Sequence, residues 1–524
     1  MGKVVRFICW GMIVIVMVSC GPKQPTSVMP FVPSENPMKQ TGEYERVDCT
    51  IQPFDPTARM ECGLLTVPED RSHLEGNKIK LPVVIVKTSS DNPAPDPIVF
   101  LVSSPSPVVE DANGLVYFLR GLSSDRDLIV MEQRGVGRSD PNLECPDLTD
   151  FYYQNLDKDP RSPELQTQNL DLQRACHEQF VKSGINLAAY TSETSAADFE
   201  DLRLTLKYDQ WNLFSIGYGS RLALLSMRKY PQGLRSAVLD SPLPPQVNFF
   251  ASGAVQAEQA LDLMFQRCAE SEECNTTFPD LKNVFYVDIE LLNAHPQSLV
   301  VIDPQTGDPF QMWADGNTLI SVVLMAVDYA FQDILLQVPR MLYQIKEGKY
   351  EGLAELMPML VNNAPFSVGM QNLVFCQEDL DQISFEKIQE ANSQAEPELA
   401  QYFNNQVREA QESCAIWRVD PDAVVQGAAL VKEPIHSDVP TLVFSGDFSW
   451  NTPSNWAEET ARALNRATWV NFAGSGGAVT FSEMWSSCSL SIGKFFFNDP
   501  QASLDTSCAG QKKTFDWETN EPGQ

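Results

Sequence analysis

Residues 211–220 read WNLFSIGYGS. An apolar run that turns into a helix through a G-x-S-x-G-type bend is the setting in which a serine is held on a sharp, strained turn, its hydroxyl exposed for attack on an acyl carbon. Here the central residue is Gly217. Glycine takes such a backbone without steric cost, so the bend can persist without its hydroxyl. Acyl transfer at this place would need its groups from elsewhere: Ser215, Ser220, Ser241 and Ser475 are nearby hydroxyls, and Asp447 or Glu132 could supply a carboxylate. Serines in turns more often hydrogen-bond backbone. The chain holds four histidines, His73, His177, His295 and His436, and all precede Ser449. A nucleophile–acid–base order would place the base after the acid, where no imidazole stands.

The elements that would position these groups are legible from hydrophobic pattern. Short runs rich in Val, Ile and Leu begin at Ile79, Pro97, Asp127, Gln210, Ser236, Val439 and Thr468. Continuous apolar strands alternating with helices predict an α/β fold, a doubly wound and mostly parallel sheet covered on both faces. Ser195–Tyr208 aligns Ala196, Phe199, Leu202 and Leu206 on one helical face, and Ser220–Tyr230 runs straight out of the bend. Between 245 and 434 the alternation stops; Ala254–Glu270, Gly316–Glu347 and Ile383–Arg418 have helical periodicity. Such an insertion between two strands is expected to lie as a lid over the strand carboxyl ends, where open α/β sheets bind ligands.

The N-terminus carries Lys3 and Arg6, an apolar run from Ile8 to Val18, and then Met17-Val18-Ser19-Cys20. This reads as a bacterial lipoprotein signal over 1–19 with Cys20 as the acylated residue, so a membrane is the expected partner through an N-terminal lipid. Residues 20–43 hold five prolines and read as a tether. A first core part over 44–244, the insertion over 245–434, a second core part over 435–510 and a tail over 511–524 complete the predicted organisation. Ten of the twelve cysteines lie beyond Cys20 and form neighbouring couples: Cys49 and Cys62, Cys145 and Cys176, Cys268 and Cys274, Cys376 and Cys414, Cys488 and Cys508. Sequence does not fix connectivity, but an even set of this size predicts an oxidising compartment, hence an exported protein of the bacterial cell envelope. No couple has zinc-site spacing with histidine, and no metal or cofactor is implied. A formal charge of −31 argues against nucleic acid as a partner.

Six ordered segments carry a family resemblance: CGLLTVPED from Cys62, EQRGVGRSDP from Glu132, YDQWNLFSIGYGSRLAL from Tyr208, VLDSPLPP from Val238, CAESEEC from Cys268 and PTLVFSGDFSWNTP from Pro440. Together they resemble the TAP-like branch of the prolyl aminopeptidase family of α/β-hydrolases. The resemblance implies a serine exopeptidase working at peptide amino termini with a Ser, Asp, His triad. The matching positions here are Gly217 for the nucleophile, Ser449 for the acid and Gly477 for the base. Where relatives have a G-G-P-G oxyanion run, this chain has Ser103-Ser104-Pro105-Ser106-Pro107, and Pro107 has no N–H to donate. Glu378-Asp379 after Cys376 resembles an acidic element suited to a substrate's α-amino group; with Ser104 and Tyr218 these are the candidate ligand-binding residues.

Two expectations follow. The first is a non-catalytic binding protein that keeps fold, lid and pocket for a peptide, a small molecule or a protein partner. The second is a serine-type hydrolase whose catalytic residues have moved.

Overall fold

The computed structural model describes residues 41–519, apart from 52–58, 110–113, 115–118, 120, 123–124, 305, 330–331, 362–366, 420–429, 483–486 and 512–513. The predicted signal over 1–19, Cys20 and most of the tether lie outside the described residues.

Eleven strands are described: β1 (Glu43–Val47), β2 (Arg59–Pro68), β3 (Lys78–Lys87), β4 (Ile98–Leu101), β5 (Leu128–Met131), β6 (Trp211–Ile216), β7 (Leu234–Asp240), β8 (Gln297–Ile302), β9 (Pro309–Ala314), β10 (Thr441–Gly446) and β11 (Ala467–Phe472). Nine of them form one sheet in the order β1-β2-β3-β5-β4-β6-β7-β10-β11. The first four are joined antiparallel and β5 through β11 are parallel. The continuous apolar runs have a simple cause. Val83, Ile85, Leu213, Leu239 and Val443 enter one buried cluster, while their neighbours Val84, Val86, Phe214, Val238 and Phe444 enter another. Alternate side chains point to opposite faces, and both faces are covered.

Six helices matter here: α1 (Ser192–Leu206), α2 (Tyr218–Lys229), α3 (Gly253–Glu270), α4 (Leu281–Ala294), α5 (Gly316–Tyr329) and α6 (Pro397–Trp417). Helix α1 starts three residues before the periodicity suggests, because Thr191 caps it: its hydroxyl accepts from Thr194 N–H in a reciprocal box. Its Asp198 takes two bonds of 2.7 Å from Arg134, whose guanidinium also donates to the carbonyls of Glu69 and Ala189. That fork explains why the EQRGVGRSDP segment is strongly patterned: a fully buried arginine needs every donor satisfied.

The insertion differs from an all-helical lid in two respects. It contains the hairpin β8–β9, paired antiparallel from Gln297↔Ala314 to Ile302↔Pro309. Both strands alternate more and less covered positions, a short-period signal that helical reading passes over. The insertion also has two loyalties. Residues from Ala254 to Met357 build their own apolar cluster, whereas Met370, Leu373, Val374, Val407 and Trp417 pack into the core beneath the sheet. The long helical segments are broken where proline intervenes, at Pro339 and Pro397. Trp517 of the C-terminal segment is buried in the insertion's cluster.

All five neighbouring cysteine couples are disulfides: Cys49–Cys62, Cys145–Cys176, Cys268–Cys274, Cys376–Cys414 and Cys488–Cys508. They indicate an oxidising, extracytoplasmic setting.

Candidate active site

Strand β6 ends at Ile216 and α2 begins at Tyr218, with Gly217 between them at φ 50° and ψ −119°. A side chain is rarely held there, and glycine relieves the strain. The bend is tied down by Gly217 N–H donating to the Asp240 carbonyl at 3.0 Å. A Cβ at this position would lie 3.2 Å from the Ser103 carbonyl oxygen and 3.4 Å from the Ser103 Cβ. The loop after β4 therefore crowds the head of the elbow. Tyr218 N–H, the donor that would face a developing oxyanion in this fold, is bonded to the Ser103 carbonyl at 3.1 Å. Ser103 itself is exposed; Ser104 is half-buried and shares a 2.8 Å hydroxyl contact with Ser106.

The acid position sits at the carboxyl end of β10. Ser449 Oγ donates to Asp328 Oδ1 at 3.0 Å, contacts Thr452 Oγ1 at 2.9 Å and accepts from Thr452 N–H at 3.3 Å. Asp328 comes from α5, in the insertion. Burial pushes its carboxyl up to about 6, against the pull of hydrogen bonds from Ser449 and from the N–H groups of Trp450, Asn451 and Gly477. At the base position, a Cβ on Gly477 would lie 2.8 Å from Ser449 Oγ and 3.1 Å from Asp328 Oδ1. The root of an imidazole's space is thus filled by a hydroxyl and a carboxylate. One residue earlier the fit is closer still: a Cβ on Gly476 would sit 1.7 Å from the Asp328 carbonyl, so glycine alone lets α5 lie on this loop.

Asp240, at the end of β7, fixes the same loop. Its carboxylate accepts from Val479 and Thr480 N–H at 2.8 and 2.7 Å and from Ser241 Oγ at 2.9 Å, and burial raises its pKa.

Several expected site residues have other duties. Glu378 and Asp379 are 2% and 0% exposed, so neither is open to a ligand's amine. Glu378 accepts from Ser192 N–H and Oγ at 2.7 and 2.6 Å and from Arg221 at 3.1 Å; Asp379 accepts from Arg221 and from Lys432 Nζ at 3.0 Å. Burial raises Glu378; it would raise Asp379 as well, but Arg221 and Lys432 bring that carboxyl below its ordinary value. Tyr218 points its hydroxyl into the same network, 2.9 Å from Ser192 Oγ, and burial raises its phenol. The acidic element after Cys376 is therefore an internal ion-pair cluster that joins α2 to the insertion.

The nearby hydroxyls are likewise engaged. Ser215 donates to the Val238 carbonyl, Ser220 to the Gly217 carbonyl and Ser241 to Asp240, and all four, Ser475 included, are buried. Glu132 accepts from Val108 and Val109 N–H at 3.1 and 3.3 Å, and Asp447 accepts from Gly474 N–H at 2.7 Å. The imidazoles stand elsewhere: His73 on Asp70, His177 against Trp417, His295 at the exposed end of α4 and His436 on the Ala463 carbonyl. Sequence reasoning missed Asp328. Its one signal is a lone carboxylate in the strongly apolar run NTLISVVLMAVDY, where an unpaired charge would be costly.

Residues 112–283 match the family model described as the alpha/beta hydrolase fold, and residues 400–508 match the one described as TAP-like protein. The chain has the α/β-hydrolase fold, and its C-terminal part is similar to TAP-like proteins. Among its relatives, the tripeptidyl aminopeptidase of Streptomyces coelicolor is 26% identical over 198 residues, 36% of this chain and 36% of that protein. The serine protease Hip1 of Mycobacterium tuberculosis is 25% identical over 229 residues, 41% of this chain and 42% of Hip1. The chain thus spans under half the length of either relative. A solved proline iminopeptidase of Mycobacterium smegmatis, 13% identical, aligns with 85% of this chain and 98% of its own at a TM-score of 0.34.

These relatives overturn the expectation of a non-catalytic protein. That expectation rests on Gly217, Ser449 and Gly477, on the lack of a histidine after Ser449 and on the altered oxyanion run, whereas the similar proteins carry the names of peptidases. An empty elbow removes one arrangement of groups, not every arrangement that a lidded α/β-hydrolase can assemble.

Proposed function

We propose that this chain is a serine-type hydrolase of peptides whose catalytic groups have moved off the elbow triad, and that it works outside the cytoplasm on a lipid anchor at Cys20. The observation that carries the reading is the 3.0 Å bond between Ser449 and Asp328 in the space that an acid and an imidazole would share. Asp328 is the general base. A carboxyl pushed up to about 6 is basic enough to take a proton at neutral pH, which an ordinary carboxylate does poorly. Ser449 and the backbone N–H groups around it orient that carboxylate. The sequence of events is proton removal from the attacking group, addition to the scissile carbonyl, and return of the proton from Asp328 to the leaving amine. The names of the relatives and the oxidised cysteines support the substrate class and the compartment.

The test uses the mature, disulfide-bonded chain in detergent with aminoacyl and tripeptidyl reporter substrates. Turnover is expected to rise with pH through about 6 as Asp328 ionises, and Asp328→Asn is expected to lower it by about 10²–10⁴-fold. No turnover of any reporter by correctly folded protein sinks the reading. The anchor has its own check: intact mass of the membrane-extracted protein shows acyl chains on Cys20, and Cys20→Ser releases the protein into the soluble fraction.

A further inference from the structure

We infer that the insertion carries a pH-sensitive lock: Asp288 of α4, buried without a hydrogen-bond partner, keeps α4 packed while it is protonated and loosens that packing when it ionises. The inference concerns the packing of the insertion and does not rest on the hydrolase reading. Asp288 is 0% exposed, and neither of its carboxyl oxygens meets a hydrogen-bond partner among the described residues. It lies one turn from Val284, Phe285 and Leu292, which enter the insertion's apolar cluster together with residues of α3, α5 and the helix Val338–Lys346. Those three helices pack against α4. The approach to α5 is close: a Cβ on Gly316 would lie 2.6 Å from the carbonyl oxygen of Ile289, the residue after Asp288. A buried polar group left unpaired is rare in native proteins and calls for a reason.

A negative charge at this place has little to balance it. Lys346, exposed at the end of its helix, is the cation that acts on Asp288. The other charged groups on the packed helices are engaged elsewhere or face solvent. Arg340 pairs with Glu518 at 2.9 Å, and Lys282 with Asp262 at 2.7 Å and Glu258 at 3.9 Å. Arg267 lies 3.9 Å from Glu270 and from Asp447, and Asp328 holds Ser449. Glu290 and His295 are exposed, and burial raises the phenols of Tyr286 and Tyr343, which stay neutral. Desolvation therefore favours the neutral acid and pushes the Asp288 carboxyl up to about 7, against the pull of Lys346. The folded value lies above the ordinary 3.8, so the packed insertion holds a proton that the opened one releases. Packing is tightest below pH 4, weakens as pH rises, and has lost the whole of this contribution above about 7. Because α5 carries Asp328 to Ser449, a loosened α4 frees one side of the helix that reaches the sheet.

Hydrogen exchange of the full, disulfide-bonded chain, read by mass spectrometry at pH 5 and pH 8 and corrected for the intrinsic rate of amide exchange, tests the lock without any measurement of turnover. Peptides from 281–294 and from the facing part of α5 are expected to open about 10²-fold more often at pH 8, while those from β6, β7 and β10 keep their protection. Asp288→Asn, which cannot ionise, is expected to abolish the difference, and Asp288→Leu to abolish it as well. Lys346→Ala, at an exposed position, is expected to move the loss of protection to higher pH, because the one cation that favours the charged form is gone. Equal protection of 281–294 at the two pH values in the parent chain overturns the inference even if every variant fails to fold. So does a difference that persists in Asp288→Asn, or one that vanishes only in Asp328→Asn, which would assign the dependence to the other buried carboxyl. A failure of the hydrolase reading, seen as no turnover of any reporter, leaves this result untouched.

Discussion

The elbow head, after β6, and the acid–base corner, after β10 and β11, lie at the same end of one sheet with β7 between them, yet they differ from a nucleophile–acid–base arrangement in opposite ways. At the elbow the backbone survives and the side chain has gone: Gly217 keeps the positive φ of a nucleophile turn with nothing attached. At the corner the original groups are missing, but the volume has been refilled, with Ser449 and a carboxylate from α5 standing where a base would root. The contrast follows from burial. At the half-buried elbow head the backbone of the loop after β4 closes over the glycine, whereas a void at the closed seam would cost packing and is filled by side chains.

Four changes sharpen or break this comparison. The largest effect is expected beneath the elbow, where Arg221→Met would leave the buried Glu378 and Asp379 without their guanidinium. Loss of one partner of such a cluster costs about 3–5 kcal/mol, and urea unfolding of the intact disulfide form measures it. If stability barely moves, the two regions are less tightly joined than the bonds imply.

The corner should answer to pH where the elbow does not. Asp328 titrates near 6 when folded against 3.8 as the reference, so the native state holds the proton longer than the unfolded chain. Its contribution is present below pH 4 and is lost as pH rises toward and through 6; a shift of this size corresponds to about 3 kcal/mol. Asp328→Asn should flatten that part of the stability curve. An unchanged curve would show that the carboxyl is not held as described.

Gly217→Ser comes next. A side chain in the positive-φ turn, pressed 3.2 Å from the Ser103 carbonyl, should cost about 1–3 kcal/mol and bring no gain in turnover, since no imidazole is near. A thermal melt and a reporter assay decide it; a strong rise in activity would mean that the elbow is still the working head. The smallest effect is expected for Ser449→Ala, about 1 kcal/mol for one hydrogen bond to a buried carboxylate, read by the same melt. Its pH profile is the sharper measure, because Asp328 should move further upward once that donor is gone.

Much of the fold was legible in the chain. Continuous apolar runs announced the parallel strands, and each lies where both faces of the sheet are covered. The cysteine couples were legible as neighbours, and the structure joins each couple, because short loops bring their own ends together. The hairpin β8–β9 was not legible, since its alternation is brief and lies among helices. Within the site, Gly217, Ser449 and Gly477 could be located by pattern, but what the missing groups implied for activity could not. Glu378 and Asp379 looked like ligand contacts because a sequence shows charge without showing the Arg221 and Lys432 that neutralise it.

The sequence by itself determined which chemical groups are missing from the elbow, and it determined the strand order along the chain, because hydroxyls, imidazoles and apolar periods are properties of residues and their spacing. Tertiary structure alone decided what replaced them. Asp328 reaches Ser449 across 121 positions of chain, and Ser103 reaches the elbow because β4 pairs beside β6. Contacts between distant segments depend on how the sheet and the insertion close on one another, and no local pattern encodes that closure.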